Sequence, residues 1–232
     1  MKNMNMDWNH SDVFQYEKTI GLKIPCYEML YDMMDRLLSV QLTKKEADIL
    51  IVGAGGGQEL LTLGENHSKW TFTGIDISAN MLDLARNRLK SAGVEAKVQF
   101  IEGEVDQLGQ ECHFAGATCM LVLHFVRDKR AFLQRIADCL VEGAPLFIAS
   151  INGDPHSEPF NWQMRAWREH MLANGIAEQD WERFAASIGT HSYPIPARDV
   201  EDLLKESGFI SVTRFFSAYL IDGWFAVKGD CK

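Results

Sequence analysis

Four glycines fall within five positions at the end of an apolar run, and no other feature constrains this chain as much. The stretch "ILIVGAGGGQELL" runs from Ile49 to Leu61. A buried strand that ends in glycine and opens onto a helix lets a ligand approach the backbone. The first N–H groups of the helix are unpaired there and face that ligand. The dinucleotide fingerprint needs G-x-G-x-x-G. Counting from Gly53 puts Gln58 where the third glycine belongs, and counting from Gly55 puts Leu60 there. The spacing that fits is Gly53-x-Gly55-x-Gly57, so a nicotinamide dinucleotide is disfavoured.

The segments around the loop alternate. "DILIVG" (48–53), "WTFTGID" (70–76), "KVQFIEG" (97–103), "GATCMLVLHFV" (116–126) and "APLFIAS" (144–150) read as strands. "GQELLTLGEN" (57–66), "SANMLDLARNRLKSAG" (78–93) and "DKRAFLQRIADCLVEG" (128–143) read as helices. Ser78 stands at an N-cap position, and Gly93 stands where that helix stops. Strands alternating with helices predict βαβ units and a parallel sheet covered on both faces. Residues 152–196 break the pattern with helical material between Pro-, Asn- and Gly-bearing ends, a helical insertion or lid. "ARDVEDLLKESGF" (197–209) is an amphipathic helix. "SVTRFFSAYLIDGWFAVKG" (211–229) holds two strand-like runs with a turn near 218–222, hence an antiparallel C-terminal hairpin. Residues 1–44 form a polar arm and a helix that begins at Pro25, covering the cofactor site. Residues 45–232 form the main domain.

An acid, Asp76, ends the second strand. A carboxylate there can accept hydrogen bonds from both hydroxyls of a ribose. Beyond the third strand, Glu104 can accept from an exocyclic adenine amine, and the Val105 amide can donate to a ring nitrogen. The fourth strand ends under the same crevice, the usual ligand position in open α/β sheets.

Taken in order, these residues resemble the class I S-adenosylmethionine (SAM)-dependent methyltransferases. The resemblance is carried by GAGGG at 53–57, GIDIS with Met81 at 74–81, GEV at 103–105, LVLHFV at 121–126 and LVEGAPLFIAS at 140–150. It implies a Rossmann-like, seven-stranded, mostly parallel sheet with one antiparallel strand. It implies SAM as cofactor, S-adenosylhomocysteine (SAH) as its product, and no metal. Adenosine would meet Asp76, Ile77, Met81, Glu104 and Val105. The methionine part would lie along Gly53, Ala54, Gly55 and Gly57 and against Met120 and Leu121. More distantly, "IPCYEML" and residues 173–209 are similar to carboxy-SAM synthase and its methyltransferase relatives, which implies a cofactor contact for Tyr27. Two positions depart. The family usually has an acid where Ile51 stands, helping to hold the methionine ammonium. The arginine that would pair with the carboxylate of carboxy-SAM falls on Ala185, with Arg183 two residues away. Ordinary methyl transfer is therefore the expectation.

Methyl transfer from a sulfonium needs positioning and shielding, with a base only for a protonated acceptor. His124, just after the fourth strand, is the candidate for that base. Tyr16 in the arm, and Trp162 and Arg165 in the insertion, are candidates for contact with the acceptor. Trp162, Arg165 and Arg168 share one face at helical spacing. His67, His113, His156, His170 and His191 show no metal-ligand grouping.

Composition narrows the partners. The 232 residues carry a net charge of −9, which disfavours nucleic acid. The polar start and the lack of an apolar run of roughly 20 residues predict a cytoplasmic protein without a membrane span. Five cysteines without a CxxC pair predict reduced, incidental thiols. The expected partner is a small-molecule methyl acceptor. A non-catalytic SAM- or SAH-binding module, and a methyltransferase acting on tRNA or protein, stand as alternatives. Monomer and homodimer both remain open.

Overall fold

The computed structural model describes residues 13–43, 45–109 and 112–230. The start of the arm through Asp12, including Trp8, and Cys231 lie outside them. In chain order the elements are α1 (Val13–Lys23), α2 (Tyr27–Gln41), β1 (Asp48–Val52), α3 (Gln58–Asn66), β2 (Thr71–Asp76), α4 (Ala79–Ala92), β3 (Lys97–Glu102), β4 (Gly116–Met120) and α5 (Lys129–Asp138). Then follow β5 (Pro145–Ile151), α6 (Glu158–Ala173), α7 (Glu178–Ser187), α8 (Ala197–Glu206), β6 (Phe209–Ala218) and β7 (Ile221–Lys228).

The strands form one seven-stranded sheet in the order β3-β2-β1-β4-β5-β7-β6. All neighbours are parallel except at β7, which runs antiparallel to both β5 and β6. The order reverses between β1 and β4, so their C-terminal ends diverge and open a crevice.

Strand alternation divides the core in two. Ile49 and Ile51 point to one face, where Leu30, Met34 and Leu38 of α2, Leu60 and Leu63 of α3, and Trp167 and Met171 of α6 cover them. Leu50 and Val52 point to the other, where α5 and α8 pack through Leu133, Ile136, Val200 and Leu204. The N-terminal helix α2 thus shares one core with the sheet.

Local chemistry sets the helix ends. The Ser78 hydroxyl accepts the Met81 amide at the start of α4, and Gly93 at its end has φ 70°. Asp128 caps α5 and Ser157 caps α6 in the same way. Two expectations change. β4 stops at Met120 instead of running to 126, because Leu121 takes φ 61° and a short 3-10 turn (Leu123–Phe125) follows. Residues from Val13, within the stretch expected as a polar arm, form α1. The cysteine expectation is also corrected. Phe114 pairs with Leu140 beside the sheet, and that pairing brings Cys112 and Cys139 into a disulfide with Cα atoms 4.8 Å apart. Cys26 and Cys119 are free.

Candidate active site

The loop after β1 is shaped by contacts that exclude side chains. Gly53 has φ 70°, and a Cβ on it would stand 2.3 Å from Val122 Cγ2. Gly57 has φ 79°, and its Cβ would meet Ala85 of α4 at 2.9 Å. Only glycine combines that backbone with that closeness. The Gly53 and Ala54 amides both donate to the Ile75 carbonyl, which fastens the loop to β2.

Asp76 closes the loop from the next strand. Its Oδ2 accepts the Gly55 amide at 2.8 Å, and its Oδ1 accepts the Ser78 amide at 2.9 Å. Burial pushes its pKa up, and these two amides pull it back toward the ionised form. Each oxygen keeps a lone pair for a further donor.

The crevice has a volume of about 580 Å³. Of the residues expected to hold a cofactor, Gly53, Gly55, Asp76, Ile77, Met81, Glu104, Val105, Met120 and Leu121 line it, and so does Tyr16. Ala54 and Tyr27 are buried, and Gly57 joins the loop to α3. None of these three is in its lining. Tyr27 sits edge-on to Tyr31, with ring centroids 4.9 Å apart.

Helix α1 covers the loop. The Tyr16 ring lies so close to Gly56 that a Cβ there would be 3.2 Å from it. Arg88 of α4 donates to the Gly56 carbonyl at 2.6 Å and to Gln58 Oε1 at 3.0 Å. It also stands 3.2 Å from Glu17 of α1. Helix, loop and α4 are thereby tied together.

Three expected residues lie elsewhere. His124 is buried and does not line the crevice. Its Nδ1 accepts the Ile151 amide at 3.3 Å, and its carbonyl accepts the Tyr193 amide at 2.6 Å. Burial, aided by the Lys129 charge, lowers its pKa to about 3. The ring thus bonds the end of β5 and the backbone carbonyl bonds the insertion, so His124 ties the two together. Trp162 and Arg165 stand away from the crevice. They line a separate shallow hollow with Ala166, Arg168 and Glu169, and Trp162 is 53% exposed. The inward face of α6 is Phe160, Trp167 and Met171.

One residue went unseen in the sequence. Glu59, in the first turn of α3, is only 3% exposed, and its Oε1 has no hydrogen-bond partner among the described residues. Burial raises its pKa to about 8, against the pull of its own amide and that of Met120. The available signal was an acid two residues past the last loop glycine, below an apolar Ile51. Among the described residues no group of His, Cys, Asp and Glu could hold a metal, and no helix is long and apolar enough to cross a membrane.

A family model described as a methyltransferase domain matches residues 49–143. Carboxy-S-adenosyl-L-methionine synthase of Chromohalobacter salexigens is 22% identical over 91% of this chain and 79% of its own length. Ubiquinone biosynthesis O-methyltransferase of Marinobacter nauticus is 30% identical over 62% of this chain. The chain spans 59% of that relative's length. Among solved structures, magnesium protoporphyrin IX methyltransferase from Synechocystis PCC 6803 with bound SAH superposes with a TM-score of 0.69. The identity is 15%, and 96% of each chain is covered, a likeness of fold.

Proposed function

Since the chain is a distantly related member of the class I SAM-dependent methyltransferases, we propose that it transfers a methyl group to a small-molecule acceptor by in-line displacement. One observation carries this reading. The glycine loop, Asp76 and the Glu104–Val105 pair, from three successive strand ends, line one crevice. When bound there, SAM supplies a methyl group activated by a positive sulfonium.

The chain's part is to bind, orient and keep water out. Asp76 takes the ribose hydroxyls with its remaining lone pairs. Glu104 and Val105 read the adenine edge, and Ile77 and Met81 flank the nucleoside. Met120 and Leu121 floor the thioether end. Tyr16, held by α1 over Gly56, covers the loop where the acceptor approaches. Orientation of this kind, with water excluded, accounts for much of the rate gain in a displacement with a good leaving group.

The match to carboxy-SAM synthase raises a second reading, formation of carboxy-SAM. A further carboxylate in the crevice would need a cation. Arg183 pairs with Asp180 at 3.3 Å on α7 and is 55% exposed. Arg127 is the one arginine lining the crevice among the described residues, and it is engaged with Tyr193, donating to its hydroxyl at 2.6 Å. We prefer methyl transfer because Ala185 stands where the arginine for that carboxylate would fall.

Calorimetric titration tests the cofactor. SAM and SAH are expected to bind and NAD not to. Asp76→Ala is expected to weaken SAH by roughly 100-fold or more, since it removes charge-assisted hydrogen bonds and loosens the loop. Undiminished affinity in that variant would place the nucleoside in another crevice.

A further inference from the structure

Glu59 is a buried acid with hydrogen-bonding capacity to spare. Charge interactions link it to Tyr16 of α1, Tyr27 and Tyr31 of α2, Asp76 of β2 and Arg88 of α4, and across the sheet to Cys119 of β4. Arg88 is the one cation in that set. Its guanidinium is already held by the Gly56 carbonyl, Gln58 and Glu17. Among the described residues Glu59 Oε1 makes no hydrogen bond, and neither does Arg88 Nε, although that nitrogen stands 3.2 Å from Glu17. A buried polar atom without a partner is costly, and native structures seldom keep one without a use.

The position of Glu59 indicates the use. Met120, whose amide supports the Glu59 carboxyl, lines the crevice, and so do Tyr16 and Asp76. The strand position that would otherwise offer an acid is Ile51. It is fully buried on the same side of the sheet as Leu60 and Leu63 of α3. Oil therefore fills the strand position, and the carboxyl arrives from the helix on that same face. We infer that Glu59 binds the ammonium of the methionine portion of SAM, in place of an acid at the end of β1. Three tyrosines around it suit a cation, through their ring faces and hydroxyl oxygens.

This inference rests on the SAM reading above and adds a proton count. In the ligand-free chain Glu59 keeps its proton at pH 7. The entering ammonium turns it into a carboxylate in an ion pair, and the displaced proton leaves to solvent. Each binding event at pH 7 then releases close to one proton, and affinity rises with pH until Glu59 is ionised before binding.

The test uses the full chain, with SAH and 5′-methylthioadenosine as ligands. The second has the same adenosine and thioether but neither ammonium nor carboxylate. Calorimetry at pH 7 in two buffers of different ionisation heat gives affinity and protons together. The wild-type chain is expected to bind both, releasing a proton only with SAH. Glu59→Gln is expected to weaken SAH by roughly 30-fold or more, as when one partner of a buried charge pair is removed, and to abolish the release. Its affinity for methylthioadenosine should stay within about twofold. Unchanged SAH affinity in the variant, or equal weakening of both ligands, would each overturn the assignment. Proton release by the wild type with SAH but not with methylthioadenosine supports it and needs no variant. Binding of methylthioadenosine without SAH would sink the ammonium site alone, and binding of neither would sink the cofactor reading with it.

Discussion

Glu59 and His124 are both ionisable, both buried, and both set near the C-terminal ends of the strands. Burial drives each to its neutral form, Glu59 with a pKa near 8 and His124 near 3. They differ in what is left over. His124 Nδ1 is taken by the Ile151 amide, and its backbone carbonyl holds the insertion through Tyr193. Glu59, like His124, is not in the crevice lining, but it keeps one oxygen unmet and is supported by the amide of Met120, which is in that lining. A large pKa shift does not separate a strut from a binding group, since desolvation produces both. Unused hydrogen-bonding capacity next to a cavity does.

The hardest way to break this comparison is to move the acid. Ile51 is fully buried among apolar side chains, so Ile51→Asp places a carboxyl where nothing can pair with it. We expect a loss of about 3–5 kcal/mol in urea unfolding, the range for an uncompensated buried charge. We also expect no gain in SAH affinity. A variant as stable as the wild type would mean that the end of β1 is open to water and could hold an acid after all.

Acid and base limbs of stability separate the two groups more gently. Folding raises the Glu59 pKa from 4.5 to about 8. The folded chain therefore holds a proton that the unfolded chain has lost, and this contribution, complete below 4.5, disappears as pH rises through 8. Folding lowers the His124 pKa from 6.5 to about 3. Its contribution is complete above 6.5 and is lost as pH falls toward 3. Between 4.5 and 6.5 the two oppose each other, and above 6.5 Glu59 acts alone of the pair. Ligand-free stability should therefore fall from pH 6.5 to 8 by no more than about 2 kcal/mol. Glu59→Gln should flatten that limb and leave the acid limb intact, and His124→Gln should do the reverse. Urea midpoints across this pH range read both, and identical profiles for the two variants would erase the distinction.

The half of the molecule built on β1, β2 and β3 was legible in sequence, because each apolar run ends in a residue whose chemistry is local. Gly53, Asp76 and Glu104 announce a turn or a carboxylate at a strand end, and the parallel sheet puts those ends together. The other half depends on packing that periodicity does not encode. Leu121 breaks β4 with a left-handed backbone that no glycine announces. Glu59 reads as an ordinary acid in a helix first turn until α1 and α2 close over it. Cys112 and Cys139 meet only through the Phe114–Leu140 pairing.

The insertion carries the smallest expected effect and the sharpest test of that limit. Helical spacing rightly puts Trp162, Arg165 and Arg168 on one face, but spacing cannot say which face turns inward. Trp167 decides it: fully buried, it donates its indole N–H to the Lys23 carbonyl at 2.7 Å and pins α6 to the end of α1. Trp162 is left outside, and Arg168 pairs with Glu178 of α7 at 2.7 Å. Trp162→Ala and Arg165→Ala should each change stability by no more than about 0.5 kcal/mol, as surface substitutions do, and leave SAH affinity untouched. Turnover with a true acceptor should follow suit. A tenfold loss of turnover in either variant, with SAH affinity unchanged, would bring that outer hollow back as an acceptor site and extend the active surface around the edge of the insertion.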